Sequence, residues 1–110
     1  MTKNYVYFVA GDHYSHTGYF KVGITGNFKA RKQQIQSHSP YKILTMCLVT
    51  HSKPKELEAA ILEEFKSERI RGEWFSVRGR NVHQSSVKFS EAVSKYMIAN
   101  CDGEVLDCIR

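Results

Sequence analysis

The chain has 110 residues, of which 42% are apolar and 25% are charged, a composition typical of one globular domain. A net charge of +5 favours a polyanionic partner such as nucleic acid. The three cysteines are odd in number and include no closely spaced pair, which argues against a disulfide framework and a zinc site and indicates reduced thiols in a cytosolic protein. We expect no signal peptide and no membrane association, since the longest apolar run has only the length of a strand.

Two alternating segments near the N-terminus are predicted strands. Tyr5–Ala10 and Tyr19–Ile24 both alternate apolar and polar positions, and a turn-rich loop would join them as an antiparallel pair. One face would then be core, and the other would carry Tyr5, Tyr7, Tyr19 and Lys21. Gly23 leaves room for something to approach the backbone on that second face.

The loop between these strands contains two histidines. His13 and His16 lie three residues apart, a spacing compatible with a metal ion. No carboxylate or thiol partner accompanies them, and such loop histidines are more often solvated than metal-bound. We therefore expect no structural metal there.

A helix is predicted after the second strand. Thr25-Gly26-Asn27 is typical of an N-cap, and only Phe28 and Ile35 form an apolar stripe behind it. Arg31 would lie one turn into this helix, near an N-terminus whose free N–H groups and dipole suit a phosphate. A solvated surface arginine is the alternative.

The second predicted helix contains a carboxylate in an unusual position. Ile43–Val49 is predicted as a third strand, and Ser52 would cap a helix running from about Lys53 to Glu68. Glu58 falls inside the apolar stripe of that helix, where a carboxylate is costly unless it is paired, protonated or bound to a metal. Its position fits a buried ion pair with Arg31 or Lys21, an exposed edge of the stripe, or a functional carboxylate.

The remaining residues are predicted to close the core. Gly72 would end the second helix, and the aromatic pair after it would pack over the core. Arg78–Gln84 is predicted as a basic linker before a third helix that opens at Ser85 or Ser86. Glu104–Arg110 is predicted as a frayed tail or an edge strand.

An ordered set of short motifs resembles the GIY-YIG nuclease superfamily. It consists of Val6-Tyr7, Lys21-Val22-Gly23-Ile24-Thr25, Arg31, Leu57-Glu58 and Gly72-Glu73-Trp74-Phe75. The set is most similar to a phage-rich branch in which Lys-Ile-Gly-Ile-Thr replaces the second tyrosine motif. It spans about residues 5–77 and implies one α+β domain over 1–110, with 78–110 as a C-terminal helix and tail. The expected fold is a small three-stranded antiparallel sheet flanked by about three helices.

The resemblance implies a role for each matching residue. Tyr7 would help to activate the attacking water, Lys21 stands where the second catalytic tyrosine would be, and Arg31 would contact the scissile phosphate. Glu58 would bind the divalent metal ion, Mg²⁺ or Mn²⁺. The glycine of the first motif is absent, and the late asparagine of the family has no counterpart between Arg69 and Phe75.

The residue types agree with these implied roles. An arginine fork suits phosphate oxygens, a lysine supplies a point charge or shares the role of the base, and Mg²⁺ typically uses one or two carboxylates. Several basic residues would form a positive groove around the site, and tyrosines would shape it or stack on a base. The residues predicted to bind nucleic acid are Tyr5, Tyr19, Gly23, Lys29, Lys32, His38, Arg69 and Arg71.

Three functions from different classes follow. The first is a metal-dependent DNA endonuclease or nickase with weak sequence preference, because no base-reading module is recognisable. The second is a domain that binds DNA with little cleavage, and the third is a phage-encoded interaction protein that contacts a host protein. Expected partners are therefore duplex or branched DNA, with a homodimer and a host protein left open. The expected location is the cytoplasm of a bacterium or a phage-infected cell.

Overall fold

A single antiparallel sheet organises residues 4–14, 18–77 and 81–108, which are the residues described by the computed structural model. Within these ranges the elements are, in chain order, β1 (Tyr5–Gly11), β2 (Tyr19–Thr25), α1 (Phe28–Ser37), β3 (Ile43–Thr50), α2 (Pro54–Glu64), β4 (Arg69–Arg71), β5 (Trp74–Ser76), α3 (Val82–Asn100) and β6 (Val105–Cys108). The α+β class and the three helices agree with the prediction.

The predicted three-stranded sheet is wrong in strand number. Six strands in the described part of the chain form one sheet in the order β4-β5-β2-β1-β3-β6, and every neighbouring pair is antiparallel. The three predicted strands are the central ones. The three additional strands have only three or four residues each, which is too short for apolar alternation to reveal them.

Apolar side chains fill both faces of the sheet. The larger core includes Val6, Phe8, Phe20, Val22, Ile61, Phe75, Phe89, Val93 and Met97, contributed by the sheet, α2 and α3. A smaller cluster on the opposite face consists of Tyr7, Val9, Ile43 and Leu48, with Phe28 and Ile35 of α1 packed against it. The second face, on which Tyr7 was predicted to point outward, is thus covered by α1 at its centre.

The start of α1 agrees with the predicted cap. The Asn27 side-chain oxygen accepts a hydrogen bond from the backbone N–H of Ala30 at 3.1 Å, which satisfies one of the free N–H groups of the first turn. The hydroxyl of Thr25 accepts another from the N–H of Asn27. This cap fixes the start of α1 directly after β2.

The second helix starts within one residue of its predicted start but differs in its cap and its end. Its N-cap is Lys53, without a side-chain cap bond, and the helix ends at Glu64 instead of about Glu68. Ser52 instead donates its backbone N–H and its hydroxyl to the carboxylate of Asp102, which ties the segment before β6 to the end of β3. Gly72, with φ of +55°, turns the hairpin between β4 and β5 instead of ending a helix.

The C-terminal elements differ in part from the predictions. α3 begins at Val82, so 82–84 of the predicted linker are helical, while 78–80 lie outside the described residues. Of the two alternatives for the tail, β6 corresponds to the edge strand. His16 also lies outside the described residues, and His13 packs edge-on against the Tyr41 ring at 4.9 Å.

Two further expectations concern the cysteines and the membrane. None of the three cysteines forms a disulfide, and Cys47 is buried on β3. None of the helices in the described ranges combines the length and the apolar composition needed to cross a bilayer.

Candidate functional site

Tyr7 lies at the centre of the sheet, under α1. Its side chain is completely buried, and its ring lies 5.7 Å from the ring of Phe28. The hydroxyl oxygen makes no hydrogen bond of good geometry among the described residues, although the Arg31 side chain lies close enough to interact with it. A buried hydroxyl without a partner is costly, and such groups in a folded protein often have a functional explanation.

Gly23 faces Tyr7 directly across the β1–β2 pair. A Cβ atom built on Gly23 would lie 2.3 Å from the Tyr7 hydroxyl oxygen and 2.4 Å from its Cζ atom. The predicted approach to the Gly23 backbone therefore exists, but the group that approaches is the Tyr7 ring. Gly23 thus provides the space for the tyrosine, and its predicted contact with nucleic acid stays a prediction.

Charged side chains from three other elements surround the Tyr7 hydroxyl. Burial raises the pKa of Tyr7, the positive charge of Arg31 on α1 partly opposes this rise, and the carboxylates of Glu73 and Glu58 add to it. Two of the other residues predicted from the sequence, Arg31 and Glu58, are thus close enough to Tyr7 for their charges to act on its hydroxyl.

Glu58 is half-buried on α2, between the buried Leu57 and Ile61. Its Oε2 atom is buried and has no hydrogen-bond donor within the described ranges, while the neighbouring Glu73 carboxyl lies within hydrogen-bonding range of the Glu58 carboxyl, so the two acids can share a proton. Burial, followed by the adjacent carboxylate of Glu73, raises the pKa of Glu58 to about 7, while the charge of Lys21 opposes the rise. Within those ranges no lysine, arginine or histidine forms an ion pair with Glu58, so the proposed ion pair with Arg31 or Lys21 is absent.

Lys21 is held beside Glu58 by different partners. Its Nζ atom donates to Oε2 of Glu73 at 3.0 Å and lies 5.1 Å from the centre of the Trp74 ring. The β2–β5 pairing explains this arrangement, since Lys21 and Trp74 are direct partners across the two strands. Only 16% of the Lys21 side chain is exposed, so its charge is directed into the site.

Glu73 is the residue that the sequence analysis missed. It occupies the β4–β5 turn, and its carbonyl accepts a hydrogen bond from the N–H of Val22 at 3.1 Å, which anchors the turn beside Lys21. The Gly-Glu-Trp-Phe motif was recognised, but its glutamate received no role. Glu73 reaches the site because β5 pairs with β2, the strand that carries Lys21. This pairing could not be predicted, because β5 is too short to be recognised in the sequence.

The two carboxylates give the site a donor set suited to a hard cation. Glu58 and Glu73 together supply up to four oxygens, and one of them, Oε2 of Glu58, is buried without a partner in the described structure. The described residues contain no group of three or more histidine, cysteine, aspartate or glutamate side chains placed to hold a metal ion. A cation here would therefore keep several waters, as Mg²⁺ usually does.

The predicted basic groove is divided between separate surfaces. Arg31 and Ile35 lie on one side of α1, and His38 follows on the same side just after the helix ends. These residues line the same cleft as Lys21 and Tyr19. Lys29 and Lys32 lie on another side of α1 and line a depression of their own. The groove beside Tyr7 is consequently narrower than predicted.

The other residues predicted to bind nucleic acid lie around this centre. Arg69 and Arg71 are exposed on β4 at one edge of the sheet, and Nε of Arg69 donates to the carbonyl of Gly72 at 2.6 Å. Tyr5 is half-buried on β1 and packs against the smaller cluster with Tyr7. Tyr5 therefore contributes packing next to the catalytic candidate.

Comparison with known proteins supports the same class. The family model of the T5orf172 domain matches residues 4–94, which include Tyr7, Lys21, Arg31, Glu58 and Glu73. Neither a curated protein nor a solved structure gives a significant match. The match covers most of the chain, and the chain therefore belongs to the T5orf172 domain family, a phage-associated family of the GIY-YIG, nuclease-like type.

Proposed function

We propose that the chain is a metal-dependent endonuclease that nicks or cleaves DNA phosphodiester bonds. Its active site would consist of Tyr7, Lys21, Arg31 and Glu58. The observation that carries the proposal is the buried, unpartnered carboxyl oxygen of Glu58 beside a second carboxylate and near the Tyr7 hydroxyl. A site that places two acids, a tyrosine and two cations together suits phosphoryl chemistry better than a purely structural role.

The carboxylates of Glu58 and Glu73 would hold Mg²⁺ or Mn²⁺. Burial, and after it the adjacent carboxylate of Glu73, raises the pKa of Glu58 to about 7, and a divalent cation would offset both effects and bind the buried Oε2 oxygen. When bound, the cation would supply the charge stabilisation that a transferring phosphoryl group requires.

The side chains of the chain would bind and orient the reactants. Arg31 would bind the non-bridging phosphate oxygens through its planar fork, close to the N-terminus of α1, which also favours an anion. Lys21 would add a fixed positive charge, since Glu73 and Trp74 hold its ammonium group in place. The Tyr7 hydroxyl, which is completely buried, would accept a hydrogen bond from the attacking water and orient it once substrate binding admits that water to the site.

Binding of DNA with little or no cleavage is the second candidate. It is favoured by the ion pair between Lys21 and Glu73, which occupies the residue that stands in place of the second catalytic tyrosine. Weak sequence preference is proposed in either case, because recognition would rest on phosphate contacts. A homodimer and a host protein partner are further proposals.

Nicking of a supercoiled plasmid tests the proposal. The wild type is incubated with Mg²⁺, with Mn²⁺ or with EDTA, next to Glu58→Gln and a matched control, Glu63→Gln, whose side chain is exposed on the same helix. We expect metal-dependent nicking by the wild type and the control, and none by Glu58→Gln. Nicking that persists in EDTA, or is unchanged in Glu58→Gln, contradicts the proposal. A salt-sensitive mobility shift without nicking favours the second candidate. If the protein neither nicks DNA nor shifts its mobility, a protein partner is favoured.

A further inference from the structure

A cleft of about 550 Å³ opens beside the candidate active site. It lies between β2, α1, the loop before β3, and β5. We call it the aromatic cleft, and its defining residues are Tyr19, Lys21, Arg31, His38, Tyr41 and Trp74. Since Lys21 and Arg31 belong to both, the cleft and the site form one continuous surface.

Exposed aromatic rings are concentrated in the aromatic cleft. Seven large hydrophobic side chains are exposed in the described ranges, and the three aromatic ones among them all line this cleft. They are Tyr19 (49% exposed), Tyr41 (41%) and Trp74 (41%). The other four lie elsewhere, Ile70 on β4, Ile98 on α3, and Val105 and Leu106 on β6. A cluster of exposed rings around one opening is typical of a surface on which flat ligands stack.

The charged side chains that line the cleft are both cationic. They are Arg31 and Lys21, of which Lys21 is also ion-paired with Glu73, and no aspartate or glutamate is among the lining residues. A ligand that fits such a cleft combines flat apolar faces with negative charge. Nucleotides have both properties, because a base stacks on an aromatic ring while its phosphate binds the cations.

The loop that carries Tyr41 is fixed in place before any ligand binds. The Gln36 side chain donates to the carbonyl of Tyr41 at 2.9 Å and accepts from the N–H of Ile43 at 2.7 Å. The ring of His13 packs against the Tyr41 ring at 4.9 Å, and a Cβ on Gly11 would lie 3.2 Å from Cβ of Tyr41. A preformed cleft loses little conformational entropy when it binds a ligand.

We propose that the aromatic cleft binds an unpaired DNA base next to the phosphate held by Arg31, so that the preferred substrate is single-stranded DNA or the unpaired region of a branch. The location of the base next to the cleaved bond rests on the proposed endonuclease function. Within a regular duplex the faces of a base are already stacked on its neighbours, so only an unpaired or extruded base offers a free face to these rings.

Fluorescence of Trp74 reports directly on the cleft, because this residue is the only tryptophan of the chain. The protein is titrated in EDTA, where no hydrolysis interferes, with a single-stranded oligonucleotide, with the duplex of the same sequence, and with an abasic oligonucleotide that keeps the phosphates. We expect saturable quenching by the single strand, weaker binding of the duplex, and little quenching by the abasic strand.

Variants separate stacking from charge. Tyr41→Ala and Tyr19→Ala should each weaken single-strand binding by about five- to a hundredfold, the loss expected for one stacked base. Tyr41→Phe should retain most of the affinity because it keeps the ring, and Ile98→Ala, an exposed apolar residue on α3, serves as the matched control. Equal affinity for the abasic strand, or duplex binding as tight as that of the single strand, would overturn the proposal.

The two proposals fail in different ways. If the single strand quenches Trp74 but no DNA is cut in Mg²⁺ or Mn²⁺, the aromatic cleft stands and the endonuclease function fails. A different result separates the proposals in the other direction. If the wild type nicks DNA but Tyr41→Ala and Tyr19→Ala both bind the single strand as tightly as the wild type, the endonuclease function stands and the proposal that the aromatic cleft binds a base fails.

Discussion

Gly23 and Tyr7 face each other across β1 and β2, and the tyrosine ring occupies the space that a side chain at position 23 would need. This packing holds the buried hydroxyl beside Arg31, Glu58 and Glu73. The glycine therefore acts through the tyrosine, and a change at either residue should alter the other.

Gly23→Ala should destabilise the protein by about 1–3 kcal/mol, because the added Cβ overlaps the Tyr7 ring. Among the described glycines only Gly18 and Gly72 have positive φ, so the backbone at Gly23 accepts an alanine and the overlap is the cause. Urea denaturation of wild type, Gly23→Ala, Tyr7→Ala and the double variant measures the coupling. The cost of Gly23→Ala should largely vanish in the Tyr7→Ala background, and an equal cost in both backgrounds would show that the ring is not responsible.

Tyr7→Phe should separate activity from stability. The buried Tyr7 hydroxyl makes no hydrogen bond of good geometry in the described structure and interacts only with the nearby Arg31, so its removal should change the free energy of unfolding by no more than about 1 kcal/mol. Nicking should fall by about 100-fold or more if the hydroxyl orients the water. Tyr5→Phe, on the same strand and half-buried, is the control. A Tyr7→Phe variant with normal nicking would remove the hydroxyl from the mechanism.

Stability of the metal-free protein should fall as the pH rises from about 4.5 to about 7. The carboxyl of Glu58 has a pKa of about 7 in the folded state against 4.5 as the reference value, so over this range the folded state holds a proton that the unfolded state has lost. Deprotonation of the folded protein then leaves two adjacent carboxylates charged. Melting temperature measured from pH 4.5 to pH 8 should therefore decline in the wild type.

Glu58→Gln should reduce the fall in melting temperature between pH 4.5 and pH 8 and raise the melting temperature at pH 8. Glu63→Gln should have the same melting temperatures as the wild type. Mg²⁺ or Mn²⁺ at pH 8 should stabilise the wild type, because a ligand that binds only the folded state raises its stability, and should not stabilise Glu58→Gln. A steep decline that persists in Glu58→Gln would assign the pH dependence to other groups.

Glu73→Gln should weaken metal binding and also free Lys21 from its ion pair. We expect the Mg²⁺ concentration for half-maximal nicking to rise by about 10–100-fold. Metal affinity typically falls by this factor when a residue that supports a metal site is mutated. Removal of the adjacent charge should also lower the pKa of Glu58 and so reduce the pH dependence described above. Glu64→Gln, exposed at the end of α2, is the control. An unchanged Mg²⁺ requirement would exclude Glu73 from the metal site.

Most of the central sheet was predictable because its signals are local. The alternation of apolar and polar residues identifies β1, β2 and β3. The cap of α1 is also local, because the Asn27 side chain bonds to the backbone N–H of Ala30, three residues further on. Glu58 stood out because a carboxylate interrupted an apolar stripe. These features depend on neighbours within a few residues, which a single sequence displays.

The features that were missed depend on contacts between distant segments. The β4–β5 hairpin pairs with β2 through few residues, and Glu73 reaches the site only through that pairing. Tyr7 was expected on an open face because alternation does not reveal that α1 covers it. Ser52 was predicted to cap α2, yet Asp102 from the far end of the chain binds it instead.

The central claim is that Glu58 holds a divalent cation beside Tyr7 and Arg31. Anomalous diffraction from crystals of the wild type soaked in Mn²⁺ tests it most directly, with Glu58→Gln crystals as the reference. The account predicts a manganese peak at coordination distance from the Glu58 carboxylate, with Glu73 or water as further ligands, and no such peak in Glu58→Gln. A wild-type crystal without manganese at Glu58, or with the ion bound elsewhere and the Glu58 carboxylate turned away from Tyr7, would contradict it.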